Sequence, residues 1–269
     1  MTYVRLDYLD IAISALLLLI HGGLSLRLRL GLGRTMIIAT VRMVVQLTLI
    51  GLVLQQLFEM VSPWATGLAA LVMITFAGRE IAARQHHKLE GWWAHGLGSG
   101  SMVMAGTLVT LLALTTQIRP DPWYDPRYAL PLFGMIMGNA MTGVSLGLDR
   151  LLAAAVRERV AIEARLALGH TRWQATETMV RDAMRAGLMP IVNAMAASGV
   201  VSLPGMMTGQ ILAGVAPTEA VKYQLLIMFL IAGAVGLGVM GAVMGGVWRL
   251  TDERHRLRLD RLQGTGRHG

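Results

Sequence analysis

Apolar residues in this chain run together rather than alternate. A bilayer core takes about 20 apolar residues of helix. Seven stretches approach or meet that length: about Tyr8 to Leu26, Met36 to Phe58, Pro63 to Gly78, Leu97 to Gln117, Ala129 to Leu148, Leu188 to Leu212 and Tyr223 to Trp248. Polar residues fall between them. The linker R-P-D-P-W-Y-D-P-R-Y, residues 119–128, holds three prolines and two aspartates and reads as a non-helical loop. One polar stretch differs from a loop: residues 150–187 are charged, amphipathic and unable to span. This stretch runs into an apolar segment interrupted by Pro190, Pro204 and Gly205. The pattern predicts an all-α fold, a polytopic transmembrane bundle of about seven spans occupying residues 1–248. The charged segment 150–187 lies outside the bilayer, and a basic tail follows at 249–269.

Composition agrees with that picture. The chain is 54% hydrophobic and 15% charged, where soluble domains carry roughly 25% charged residues. A net charge of +8 raises nucleic acid as a partner, but the basic residues sort by loop. With the N-terminus outside, the inner segments hold 19 lysines and arginines and the outer segments hold four: Arg5, Arg119, Arg127 and Lys222. Such a bias sets membrane orientation, so the expectation is N-terminus out, C-terminus in, and no nucleic acid. The tail either lies on the anionic inner leaflet, making membrane lipid a partner, or is solvated. Asp7 and Asp10 flank the first apolar run, and no small-x-small cleavage site follows it, so it reads as a retained span.

Several chemistries are excluded. Cysteine is absent, which removes disulfides, thiolate metal sites and Cys nucleophiles. Gly236, Gly238 and Gly241 fit G-x-G-x-x-G, but mid-span, with no preceding strand; helix packing explains them better. The pairs Gly134/Gly138, Gly143/Gly147 and Gly241/Gly245 have the small-xxx-small spacing of close helix crossings. No Gly-Lys pair occurs, so no Walker A loop does, and any ATP chemistry belongs to another chain. There is no H-E-x-x-H. His86 and His87 read as loop residues, and His21 as either a packing or a transport residue. An intramembrane enzyme would need a nucleophile–base pair or metal motif that the chain does not offer.

Polar residues inside apolar spans mark a candidate substrate path. Arg42 and Gln46 share one face of the second span, where Arg42 either faces a cavity or snorkels to the interface. Met-Thr-Gly occurs twice, beside an amide each time: Asn139 with Met141 and Thr142, and Met206, Met207 and Thr208 with Gln210. Asn193 lies between them. These residues either line a wet cavity with soft and oxygen donors or fill packing gaps. The metal ligands, if the cargo is a metal, are not defined by this pattern.

The blocks M-I-M-G-N-A-M-T-G-V-S-L-G-L-D-R, E-A-R-L-A-L-G-H-T, P-I-V-N-A-M and G-V-V-S-L-P-G-M-M-T-G-Q-I-L-A-G, then P-x-x-A and Y-Q, resemble the FetB-type permeases. These are ABC-transporter membrane subunits associated with iron export in bacteria and aluminium tolerance in plants. The resemblance spans about Leu130 to Met228, with R-x-x-x-Q of the second span agreeing as well. It implies a multi-pass protein of the bacterial inner membrane and a permease homodimer working with a cytoplasmic ABC ATPase subunit. It further implies ATP and Mg on that subunit with no cofactor on this chain, and a metal ion, iron foremost, as cargo. A nucleotide sugar or lipid-like solute, and a non-transporting membrane subunit, are the alternatives. The spacing Glu163-Ala164 to Gly169 also resembles the coupling loop of ABC importers, although Pro190 comes later than the importer proline. The expectation is a coupling helix at 161–171. Leu166 and Leu168 would supply apolar contact, Glu163 and Arg165 a polar rim, and Gly169 the terminating turn. The segment from Pro190 to Pro204 would transmit its movement.

Overall fold

A computed structural model describes residues 7–29, 31–252, 254 and 256–262, the side chains of Tyr8 and Leu26 excepted. The described residues are helical, with isolated bridges and no strand. That is what a bilayer demands of a spanning chain without barrel closure, since every backbone group must find its partner within the segment.

The chain divides into two units, residues 1–60 and 61–269. The first holds α1 (Tyr8–Arg27) and α2 (Gly33–Met60), which pack on each other. The second holds α3 (Pro63–Arg84), α4 (Trp93–Leu112), α5 (Pro126–Arg157), α6 (Arg159–Ala167), α7 (Arg172–Ala197), α8 (Gly205–Leu212) and α9 (Pro217–Leu250). A π-helical turn, Ala113–Ile118, extends α4. Five helices among the described residues are long and apolar enough to cross a membrane: α2, α3, α4 with its π turn, α5 and α9.

α5 is the centre of the second unit and packs on α3, α4, α7 and α9. Its glycines allow this. A Cβ on Gly143 would fall 2.8 Å from Val235 Cγ1 and 2.9 Å from the Gly187 carbonyl oxygen; one on Gly187 would fall 2.7 Å from the Gly143 carbonyl oxygen. Backbone therefore meets backbone where α5 crosses α7, as small residues permit in membrane bundles. The register follows from these contacts. Gly143 faces Gly187 and Gly147 faces Ala183, so α5 and α7 are antiparallel. Gly143 faces Val235 while Gly246 faces Leu151, so α5 and α9 are parallel. Gly245 faces Leu97 and Gly241 faces Ser101, so α4 opposes α9. Of the expected glycine pairs, Gly143/Gly147 and Gly241/Gly245 serve close packing. Gly134 touches Met73, but Gly138 has no neighbour within 4 Å of a Cβ position.

Three expectations are corrected. The apolar run from Leu188 to Leu212 is no continuous span. α7 continues through Pro190 to Ala197, the chain turns at Ser198–Leu203, and α8 is a separate eight-residue helix. Pro190 is therefore not a helix break. Pro carries no N–H, but neighbouring contacts sustain a helix through it in a packed bundle; the buried Ile191 beside it supplies one. The break sits at Gly199, whose φ of +89° no β-carbon favours, and Pro204 and Gly205 start α8 rather than end α7. Second, the charged segment is divided between the end of α5, α6 and the start of α7.

Third, the described part of the tail up to Leu262 is not a free solvated arm. Thr251 pairs with Leu257 and Leu262 with Leu89, and the Glu90 N–H donates to the Arg261 carbonyl at 2.7 Å. Leu262 is 1% exposed, and burying such a side chain stabilises by roughly 1.5–3 kcal/mol. That gain folds the tail back. Residues 263–269 of the expected tail lie outside the described residues.

The glycine crossing generates a prediction. Gly187→Ala should destabilise the protein by about 1–3 kcal/mol through overpacking, whereas Gly138→Ala should be neutral or stabilising by up to about 1 kcal/mol. Thermal melting in detergent measures both; equal melting of the two variants would refute the crossing.

Candidate functional site

The charged segment folds into an elbow. α5 ends at Arg157, and Glu158 adopts φ −100°, ψ 15°, turning the chain into α6. Ile162 anchors α6 with 2% exposure, and Leu166 packs partly against the same core. Arg165 Nη1 donates to the Ala175 carbonyl at 3.3 Å, tying α6 to α7. The turn is closed by Gly169, φ +89°, whose N–H donates to Leu166 O at 3.0 Å while His170 N–H donates to Arg165 O at 3.2 Å. This is a glycine helix stop. Thr171 then starts α7 with a capping box. The Gln174 N–H reaches Thr171 Oγ1 and the Thr171 N–H donates to Gln174 Oε1 at 2.9 Å. Two helices are thus held at a fixed angle by a turn whose backbone donors are spoken for.

The outer surface of the elbow is apolar where it projects furthest. Val160 and Leu168 are each 79% exposed. Of the two leucines expected to give apolar contact, Leu168 is exposed and Leu166 packs partly against the core, while Val160 is exposed beside it on α6. Glu163 Oε1 accepts from Arg159 Nε at 2.8 Å within α6, an exposed i,i+4 pair of modest strength. The helix spans 159–167 rather than 161–171, since Gly169 and Thr171 belong to the turn. Two features escaped the sequence reading: the buried Ile162 and the capping box. The second was legible in T-R-W-Q, a Thr followed three residues later by Gln.

The registers above, with Gly98 of α4 facing Ile81 of α3 and Leu148 of α5, place the ends of α3, α5 and α9 and the starts of α4 and α7 at one end of the bundle, beside the elbow. His86 is tied there to α5: its backbone N–H and its Nδ1 lie 2.9 and 3.1 Å from Asp149 Oδ1.

The candidate path residues are distributed over several elements. Arg42 and Gln46 lie one turn apart on α2, in the first unit. Asn139, Met141 and Thr142 are on α5. Asn139 Nδ2 donates to Met135 O at 2.8 Å and Thr142 Oγ1 to Gly138 O at 3.1 Å, so both bond to their own helix. Met141 packs partly against the core. Asn193 is exposed on the distal part of α7, and the register of Gly143 on Gly187 sets it near the level of Asn139. Met206, Met207, Thr208 and Gln210 are on α8, which packs against α9. The two Met-Thr-Gly stretches are thus carried by different elements, the central helix and the α8–α9 hairpin. Gln210 Oε1 and Gln224 Oε1 are buried without a hydrogen-bond partner among the described residues. No three His, Cys, Asp or Glu side chains cluster among the described residues.

Residues 8–250 match the family described as Uncharacterised protein family (UPF0014). The chain belongs to the UPF0014 family. It is 38% identical over 260 residues to the UPF0014 membrane protein slr1647 of Synechocystis sp., covering 94% of this chain and 96% of that one. It is 35% identical over 211 residues to the protein ALUMINUM SENSITIVE 3 of Arabidopsis thaliana, covering 78% and 75%. It is 29% identical over 254 residues to the probable iron export permease protein FetB of Escherichia coli, covering 94% and 96%. No solved structure gives a significant match. The UPF0014 match takes in every helix of both units and the whole elbow, so the chain is a multi-pass membrane protein of this family.

The anchoring of α6 is testable. Ile162→Ala removes a buried side chain and should cost about 2–5 kcal/mol; amide hydrogen exchange should rise across residues 159–174. Leu168→Ser, on an exposed side chain, should leave exchange unchanged. Similar exchange in both variants would contradict the assignment of inner and outer faces.

Proposed function

We propose that this UPF0014 protein is the membrane-spanning subunit of an ABC transporter that exports a metal ion, iron foremost, on ATP hydrolysed by a separate cytoplasmic subunit. The observation that carries this reading is the elbow. It is a rigid, charged helix–turn–helix at the basic end of the bundle, bearing two exposed apolar side chains, Val160 and Leu168, that water solvates poorly. A groove on an ATPase would receive them, with Glu163 and Arg165 near its rim. The bias of 19 basic residues to four supports placing this end in the cytoplasm.

The E. coli relative, named a probable iron export permease, supports a metal cargo. Buried oxygens support it too. Gln210 Oε1 and Gln224 Oε1 lack partners, and an unsatisfied buried acceptor costs about 1–3 kcal/mol. A hard cation or its hydration water would satisfy them. Asn139 and Asn193, polar and exposed at membrane depth, support a second copy of the chain, since such groups are costly against lipid. The path would then run between two permeases.

ATP-dependent flux into inside-out vesicles holding this chain and its ATPase subunit is the deciding measurement. Accumulation of iron or another metal is expected. Accumulation of a nucleotide sugar or lipid-like solute instead would replace the cargo, and no flux of any kind would favour a non-transporting subunit. Paired Val160→Asp and Leu168→Asp should lower co-purification of the ATPase subunit about tenfold or more. Gly169→Ala, strained at φ +89°, should leave the protein folded but reduce transport per ATP hydrolysed.

A further inference from the structure

At the basic end of the second unit, the folded-back tail roofs a cavity of about 400 Å³, within the range of small-ligand sites, roughly 300–1,000 Å³. Five arginines line it: Arg172, Arg249, Arg254, Arg256 and Arg261. Among the described residues, Asp252 is the one acid in the lining, and it is already committed. It accepts from the Arg256 backbone N–H at 2.9 Å, the Arg254 N–H at 3.0 Å and Arg256 Nε at 2.9 Å. These donors, the Arg256 N–H foremost, hold its carboxyl below the usual range. Among the described residues, two further carboxylates lie near Arg249: Asp260, taken up by Arg258 at 2.7 and 2.8 Å, and Glu90.

The arginines are not matched to that acid. Arg249 Nε is buried with no hydrogen-bond partner among the described residues, although its guanidinium stacks 5.3 Å over the Trp93 ring. Arg261 Nη1 donates to the Arg249 carbonyl at 2.7 Å, bringing a second guanidinium beside the first. Arg172 stands in the first turn of α7, which has no acidic residue. A cation there opposes the helix dipole. An anion in the cavity would satisfy the orphan Nε, screen the crowded guanidiniums and complement the start of α7. Two tryptophans also line it. Trp93 and Trp248 meet at a 53° tilt with centroids 6.1 Å apart, Trp248 is 57% exposed, and tryptophans are enriched at the headgroup level of a bilayer.

We propose that this cavity binds a phosphate-bearing anion, its phosphate gripped by the forked donors of Arg249, Arg254 and Arg172, with the headgroup of an anionic phospholipid as its source. Forked guanidiniums suit phosphate geometrically, and the Trp pair sets the site where a lipid headgroup lies. The site is separate from the elbow's docking side chains and does not depend on the transport reading.

The test is binding by the purified full chain in detergent, followed by tryptophan fluorescence and native mass spectrometry. The probes are short-chain phosphatidylglycerol, phosphatidylcholine and inorganic phosphate. Phosphatidylglycerol should bind and phosphatidylcholine should not. Arg172→Gln with Arg254→Gln should weaken binding about tenfold or more while the melting temperature does not fall. Arg249→Lys, which keeps the charge and loses the fork, should weaken it as well. Competition by inorganic phosphate at comparable concentration would uphold the phosphate chemistry and make free phosphate the source. Equal binding of phosphatidylcholine, unchanged affinity in all three substitutions, or occupancy by an acidic peptide but neither phosphate probe would overturn the proposal.

Discussion

Where α5 crosses α7 there is no room for a side chain on either helix. Gly143 and Gly187 present their carbonyls to each other's Cα, and Val239 of α9 fills the remaining angle, 2.8 Å from a Cβ on Gly187. Three helices are locked at one level by two missing β-carbons. The hydrophobic effect does not hold helices together inside lipid, because lipid tails are as apolar as leucine; close packing does. The rest of the register follows from this level, one turn at a time: Gly147 on Ala183 and Val243, then Gly246 on Leu151. Moving either glycine would shift the elbow relative to the bundle, since α5 and α7 are the two arms that carry it.

That crossing bears on how force could travel. α5 and α7 leave the elbow together and are bound to each other below it, so a push on α6 would move them as a pair rather than bend one against the other. The compliant part of α7 is its far end. Beyond Ile191 the helix is largely exposed, and it stops at a left-handed glycine followed by the Ser198–Leu203 turn. The α8–α9 hairpin hangs beyond that turn and carries Gln210, with Gln224 on its other limb. Under the transport reading, the stiff element runs from the elbow to about Ile191, and the moving joint is at Gly199. Pro190, which looked like the joint in the sequence, lies within the stiff part.

The helices were legible because a bilayer makes apolar length a near-sufficient signal. Six of the seven expected stretches appear as helices, α3, α5 and α9 running six to nine residues beyond an expected end. The seventh failed for a physical reason. The segment from Leu188 to Leu212 is apolar throughout, so hydropathy could not see the turn inside it. The cue was a single glycine after Ala197 and Ser198, outweighed in the reading by two prolines. Orientation of side chains was less legible still. Leu166 and Leu168 look equivalent in sequence, yet residues two apart lie on opposite faces of a helix, so one packs partly inward and the other is exposed. The tail misled through its charge. R-H-R-L-R-L-D-R-L reads as basic, but its leucines, spaced two and three apart, are what find the core beside Leu89.

The charge in that tail has a consequence for the whole basic end. Arginines in a cytoplasmic loop need no structure to satisfy the inside-positive bias; a disordered arm would serve equally well. Here Leu262 is buried and Leu257 and Leu259 are half-buried, so the tail arginines around them are held near Arg249 and Arg172. Like charges held near one another repel, the more weakly where water screens them. The leucine contacts with the core hold the tail in place against that repulsion. An anion would remove the cost without disturbing the leucines. Arg172 follows the Gly169–Thr171 turn directly, so whatever neutralises it acts on the first turn of α7, the same turn that fixes the elbow's angle. The pocket and the elbow are therefore different surfaces that share one helix start.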